Sequence, residues 1–232
     1  MKRLIGTIFA IIFITCTSLI AHANSTTNIS TSSLDYSSRY IFHMKSTNGN
    51  SYKVYILPMK ESAAMPSPWF NASDKVFQGE YYAFLSKQNS DVAVLQTIYL
   101  FGTPHKNTAS GIFNLSDASL KNSAFIVNGI YSNPDILFIS QQITGGGDTS
   151  LRAFYIDNDK LKILQWKNKD SQLLNSAYSA AVRGITYDSN GYIGIPGWMR
   201  SPEYSGGTLT TWKFDPVQQI CIFQEFKRIE QR

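Results

Sequence analysis

Residues 194–207 of this 232-residue chain, GIPGWMRSPEYSGG, bring together more ligand-contact chemistry than any other segment. Trp198 and Tyr204 offer aromatic faces, Arg200 a fork of N–H donors, and Glu203 a carboxylate. Aromatic faces flanked by a cation and an anion can grip a sugar ring or a peptide. The glycines and prolines predict a long loop, and loops on a rigid scaffold are where binding residues concentrate. The competing reading folds the same aromatics back as a cap on the core. Ser67-Pro68-Trp69-Phe70 is a weaker case of the same kind. A second cluster sets Lys160, Lys162, Lys167 and Lys169 around Trp166. It predicts a solvated strand edge, with a shallow site for an anionic polymer as the functional alternative.

Catalytic chemistry has little to draw on. Beyond residue 23 the histidines are His43 and His105, one in a strand-like run and one after Pro104. No histidine or cysteine set has zinc-ligand spacing, so neither a metal nor a cofactor is expected. No serine sits in a Gly-x-Ser-x-Gly elbow. Glu203 with Asp148 or Asp188 is the carboxylate pair that would serve a secreted hydrolase acting on polysaccharide or ester. Gly145-Gly146-Gly147-Asp148 lacks the Lys-Ser/Thr of a phosphate loop and reads as a flexible connection. Asp157-Asn158-Asp159 offers oxygens that calcium favours, but Lys160 and Leu161 follow, and a tight turn is the better reading.

The elements that carry these residues are short and β-like. Arg39 to Lys45 and Ser51 to Leu57 flank Asn48-Gly49, a strong hairpin signal. Comparable pairs flank Asn89, Asn133 and Asn190, roughly 40 to 57 residues apart. A second, offset series turns at Asp157 and Asp215, with a fainter member at Asp117. The best helix candidate, residues 171–181, is short and weak. Ile136-Leu137-Phe138-Ile139 is apolar on both faces and suits a strand covered on each side.

Four hairpins of the first series and three of the second predict an all-β domain over residues 36–232. The tentative units are 36–76, 77–122, 123–170 and 171–232. This is the layout of a small, about four-bladed β-propeller. A β-sandwich or open barrel is the alternative.

The N-terminus explains where such a domain would work. Lys2 and Arg3 precede a largely apolar run from Leu4 to Ile20, and Ala21-His22-Ala23 follows. That order of charge, apolar stretch and small residues is a secretory signal, with cleavage expected after Ala23. The apolar run is short for a membrane span, and lipidation at Cys16 is a minor alternative. Residues 24–35 are polar and aperiodic and are expected to be a flexible leader. Cys221 is the one cysteine beyond the signal, in the apolar run Ile220-Cys221-Ile222-Phe223, and reads as a buried thiol. Hydrophobic residues make up 43% and charged residues 16%, enough for a core and against disorder. The formal charge of +5, two of it in the signal, is too mild to imply nucleic acid. The expected function is therefore a secreted or periplasmic binding or interaction module. Its ligand would be carbohydrate, cell envelope or protein. The hydrolase and a structural component of the envelope stand as alternatives.

Overall fold

Almost every turn read from the sequence closes a hairpin in the computed structural model, which describes residues 27–64, 75–103, 106–114, 124–142, 149–179, 184–201 and 203–229. All but one of the described elements are strands. Strand β1 (Asn28–Ser30) and helix α1 (Thr31–Ser37) lead into β2 (Tyr40–Lys45), β3 (Ser51–Ala63), β4 (Val76–Lys87) and β5 (Val92–Leu95). A small ribbon, β6 (Phe101–Thr103) and β7 (Lys106–Thr108), precedes β8 (Ser110–Asn114). Strands β9 (Ala124–Val127), β10 (Ile136–Gln142), β11 (Thr149–Asp157) and β12 (Lys160–Lys167) follow, with two short strands, β13 (Leu173–Leu174) and β14 (Ala177–Ser179). The chain ends in β15 (Thr186–Tyr187), β16 (Tyr192–Arg200), β17 (Ser205–Asp215) and β18 (Ile220–Arg228). The weak helix signal over 171–181 thus gives way, as far as it is described, to β13 and β14.

These hairpins do not form four separate blades, and the sandwich or open-barrel alternative fits instead. Strands of the first two units share one sheet in the order β1-β5-β4-β3-β2, with β8 also on β4. Strands of the last two share another, β15-β16-β17-β18-β12-β11-β10-β9. The second sheet is continuous because β12 pairs with β18 in parallel, Trp166 opposite Cys221. It curls, with β14 pairing to β11 and packing near β16. The reason the blade reading fails is physical. Turn residues dictate each hairpin locally, whereas the choice of which hairpin edges pair is made by long-range burial.

The strands β10 and β11 form the middle layer. Leu137, Ile139, Phe154 and Ile156 pack against Val54, Ile56, Tyr81 and Ala83 of the first sheet. Ile136, Phe138, Leu151 and Ala153 pack the other way, onto Trp166, Ile193, Trp212 and Phe214 inside the curled sheet. The expectation that the Ile136–Ile139 run is covered on both sides therefore holds. Cys221 is fully buried there, and burial pushes its thiol well up, as an inert thiol requires.

Part of the expected flexible leader is ordered. Ile29 pairs with Ala93 in β5, and Leu34 of α1 is only 1% exposed. Leu34 packs with Tyr55, Leu57, Phe84 and Ala93 on the outer face of the first sheet. Two apolar residues in a polar stretch suffice, because they fill a cover the sheet would otherwise lack.

Leu34→Ala is expected to cost about 2–5 kcal/mol of unfolding free energy, as for other fully buried leucines. A loss below about 0.5 kcal/mol in urea denaturation would show that the strap contributes no packing. The inner face of the curled sheet carries the opposite case. Among the described residues the buried Tyr187 hydroxyl meets no hydrogen-bond partner, and burial drives its pKa up. Tyr187→Phe removes an unmet polar group and is expected to stabilise by about 1 kcal/mol, raising Tm by about 2–4 °C. A fall in Tm would show that the hydroxyl is satisfied in solution.

Candidate functional site

The segment 194–207 is a β-hairpin, which corrects the expected long loop. Residues 192–200 of β16 pair in unbroken register with β17, from Tyr192 opposite Lys213 to Arg200 opposite Ser205. Its glycines serve close approach. A Cβ on Gly197 would lie 2.6 Å from the Thr208 hydroxyl, and one on Gly206 2.8 Å from the Tyr204 hydroxyl. The turn is closed by Ser201 N–H donating to the Tyr204 carbonyl at 2.6 Å.

The four expected ligand contacts separate into different roles. Trp198 is 49% exposed on the outer face of the hairpin, opposite Gly207. Glu203 is exposed in the turn. Tyr204 is a tether instead. Its hydroxyl donates to the Gly207 carbonyl at 2.6 Å and reaches the Ile229 carbonyl at 3.0 Å, while the Arg228 guanidinium lies 5.0 Å from its ring. Arg200 occupies the last position of β16, and its side chain lies outside the described set.

The lysine cluster is not a stacking surface. Trp166 is fully buried, in edge contact with Trp212 at 5.2 Å, because strand alternation puts it with Leu164 on the inner face. Lys167, the next residue, points the other way. Lys162 is spent on Asp157 at 2.6 Å and Gln219 at 3.2 Å. Lys160 is exposed at the β11–β12 turn.

The carboxylates are engaged in structural work. Asp188 accepts from the Asn190 and Tyr192 N–H groups at 2.9 Å and so caps the turn before β16. Glu203 lies just past the other end of that strand. Eight residues of β-strand span roughly 25 Å, far beyond the roughly 5–9 Å that a glycosidase pair requires. Asp148, His105 and residues 67–70 lie outside the described residues. Asp157-Asn158-Asp159 is a tight turn, with Asn158 and Asp159 both at positive φ, 48° and 59°. Among the described residues no group of His, Cys, Asp and Glu is arranged to hold a metal ion.

Sequence reading missed a second concave feature. An open cleft of about 600 Å³ lies at the turn end of the first sheet, bounded by His43, Lys45, Lys53, Gln88, Asn89 and Asp91 among others. Thr31, at the start of the leader helix, forms one wall, its N–H donating to the Asp91 carbonyl at 2.9 Å. The residues converge from β2, from β3, from the β4–β5 turn, from the leader and from Asp135 just before β10, so no single motif announces the cleft. His43 was legible only as a strand residue, and it is an exposed one. No helix among the described residues is long and apolar enough to cross a membrane. No family model, characterised protein or solved structure matches this chain.

Asp157 joins the two sheets, accepting from the Thr47 hydroxyl at 2.6 Å as well as from Lys162. Burial alone would raise its pKa, but the hydrogen bonds from Lys162, Thr47 and Gln219 and the lysine's charge hold it below its ordinary 3.8. A depressed folded-state pKa gives stability that is present above the ordinary carboxylate range and is lost as pH falls through the folded value. Asp157→Asn is therefore expected to lower stability near neutral pH and to flatten its fall below about pH 4. Denaturation midpoints measured between neutral pH and the acid limb check this. Parallel curves for the two proteins would remove Asp157 from the acid response.

Proposed function

We propose that this chain is an exported, non-catalytic binding module that meets a carbohydrate, cell-envelope or protein ligand at the tip of the β16–β17 hairpin. The observation that carries the reading is Trp198: a large aromatic left 49% exposed on a strand held in register along its whole length. A rigid exposed aromatic gives contact area without the entropy cost of ordering a loop. Tyr204 supports the role indirectly, by fixing the turn that carries Glu203. The export signal over residues 1–23 supports a secreted or periplasmic location. The hydrolase reading is weakened by the separation of Glu203 from Asp188. An envelope component remains as the outcome in which the bound partner is a protein of the envelope.

The test uses the chain from Asn24 onward, with oligosaccharides, cell-wall fragments and envelope extract as ligands. Trp198→Ala is expected to weaken binding by about tenfold or more, the size of an aromatic anchor at an interface. Its Tm is expected to stay within about 2 °C of the parent, as for a surface residue. A large fall in Tm would make Trp198 a packing residue. Unchanged affinity for a ligand that binds would move the contact elsewhere on the molecule.

A further inference from the structure

We propose that the cleft at the turn end of the first sheet, where Asp135 of the second sheet meets Lys45, is a second binding site, separate from the hairpin tip, and that it takes an uncharged, hydroxyl-rich ligand of the saccharide class, with Tyr131 as an aromatic platform at its rim. Tyr131 is 82% exposed and its backbone is left-handed, with φ of 56°. That conformation is unfavourable for a bulky residue and persists where surrounding contacts enforce it. Here they are explicit. The Lys45 ammonium donates to the Gly129 carbonyl at 2.9 Å and to the Tyr131 carbonyl at 2.8 Å. Asp135 accepts from the Gly129 N–H at 2.8 Å and from the Lys45 N–H at 2.6 Å. The Asn133 amide donates to the Asp188 carbonyl at 3.1 Å. At Gly129 a Cβ would lie 2.2 Å from the Asn133 carbonyl oxygen, so the loop closes only around glycine. A largely exposed aromatic is thus carried on a backbone tied by several hydrogen bonds, one of them from Lys45 in the cleft lining.

The ligand class follows from what the lining can offer. The volume of about 600 Å³ falls in the usual range for small-ligand sites. Amides at Gln88 and Asn89, a carboxylate at Asp91, an imidazole at His43 and hydroxyls at Ser51 and Ser90 supply donors and acceptors together. An anion would need free cations, and the lysines are committed. Lys87 pairs with Asp159 at 2.8 Å, Lys53 with Asp35 at 3.7 Å, and Lys45 holds the Tyr131 loop. Mixed donors and acceptors, with the lysine ammoniums held by Asp35, Asp159 and the loop carbonyls, beside an exposed aromatic face, suit a sugar ring. The two sites are distinct, because Asn133 ties the loop to the turn before β16 and Trp198 lies six residues along that strand, roughly 20 Å away.

The experiment titrates the chain from Asn24 with a neutral oligosaccharide and with a uronic-acid oligosaccharide of the same length. It reads dissociation constants by calorimetry and amide shifts by NMR. The expected result is binding of the neutral sugar, with perturbed amides at residues 88–91 and 129–133. Tyr131→Ala is expected to weaken it by about tenfold with Tm retained. Gln88→Ala, in the cleft lining, is expected to weaken it as well, and Trp198→Ala to leave the amide shifts at residues 88–91 and 129–133 in place. Loss of binding in Trp198→Ala alone would overturn the cleft site and leave the hairpin reading standing. Preference for the uronic acid, or binding of neither sugar, would overturn the ligand class, and with it the proposal.

Discussion

Ile136, Leu137, Phe138 and Ile139 are consecutive and all buried, so the strand that carries them needs a cover on each side. That requirement organises the molecule. One face is covered by the first sheet through Val54, Ile56, Tyr81 and Ala83. The other is covered by the second sheet folding back over its own middle strands, which brings Trp212 and Phe214 onto Trp166 and Tyr155. Covering the first face creates a further demand, because β3 and β4 are themselves apolar outward at Tyr55, Leu57 and Phe84. The leader meets it with Ile29 and Leu34. A leucine and a phenylalanine are each worth roughly 1.5–3 kcal/mol when fully buried, so a seven-residue helix with one inward leucine is enough to seat the segment.

Where the layers meet at their turn ends, apolar contact gives way to carboxylates. Asp135 binds the backbone of Lys45, Asp157 the hydroxyl of Thr47, and Asp159 the Tyr52 hydroxyl and the Lys87 ammonium. Each joins a turn of the second sheet to a strand or turn of the first. Hydrogen bonds to charged groups contribute about 1.5–3 kcal/mol each when shielded, and the exposed pair of Lys87 and Asp159 contributes less. Their larger effect is on register. A sandwich held by apolar faces alone can slide, and three directional contacts at one end fix how the sheets sit. The same contacts build the cleft, since Lys45, Tyr52, Lys87 and Asp135 all line it.

Local chemistry was legible in the sequence and long-range pairing was not. Asn48-Gly49, Asp157-Asn158-Asp159 and Asn190-Gly191 announce hairpins because residues that tolerate positive φ are few, and the chain adopts such angles at Gly49, Asn158, Asp159 and Gly191. Nothing local announces that β12 pairs with β18 in parallel, and that pairing turns expected blades into one continuous sheet. Residues 194–207 misled for a different reason. Gly197 and Gly206 there reflect the closeness of Thr208 and Tyr204 to the backbone, which composition does not distinguish from a loop. Of the expected contacts, Trp198 and Glu203 are exposed, whereas Tyr204 and Trp166 are consumed by the fold. Tyr131 went unweighed because an aromatic beside Asn-Pro looks like ordinary turn chemistry until its backbone angle is seen.

The fold divides its polar and aromatic groups into those it consumes and those it displays. Proton transfer needs a titratable group with spare hydrogen-bonding capacity facing a reacting atom. Here Glu61 is held by Arg39 and Tyr81, Asp135 by two backbone N–H groups, Asp157 by Lys162 and Thr47, and Asp188 by its own turn. The Tyr81 and Tyr155 hydroxyls are pushed up to about 12 chiefly by burial, which keeps them protonated and unreactive near neutral pH. Beside the exposed His43, Asp91 and Glu203, the fold displays aromatics and amides: Trp198, Tyr131, Gln88 and Asn89. Such groups bind through area and hydrogen bonds and have no proton to exchange at physiological pH. Pinning their backbones lowers the entropy lost when a ligand arrives.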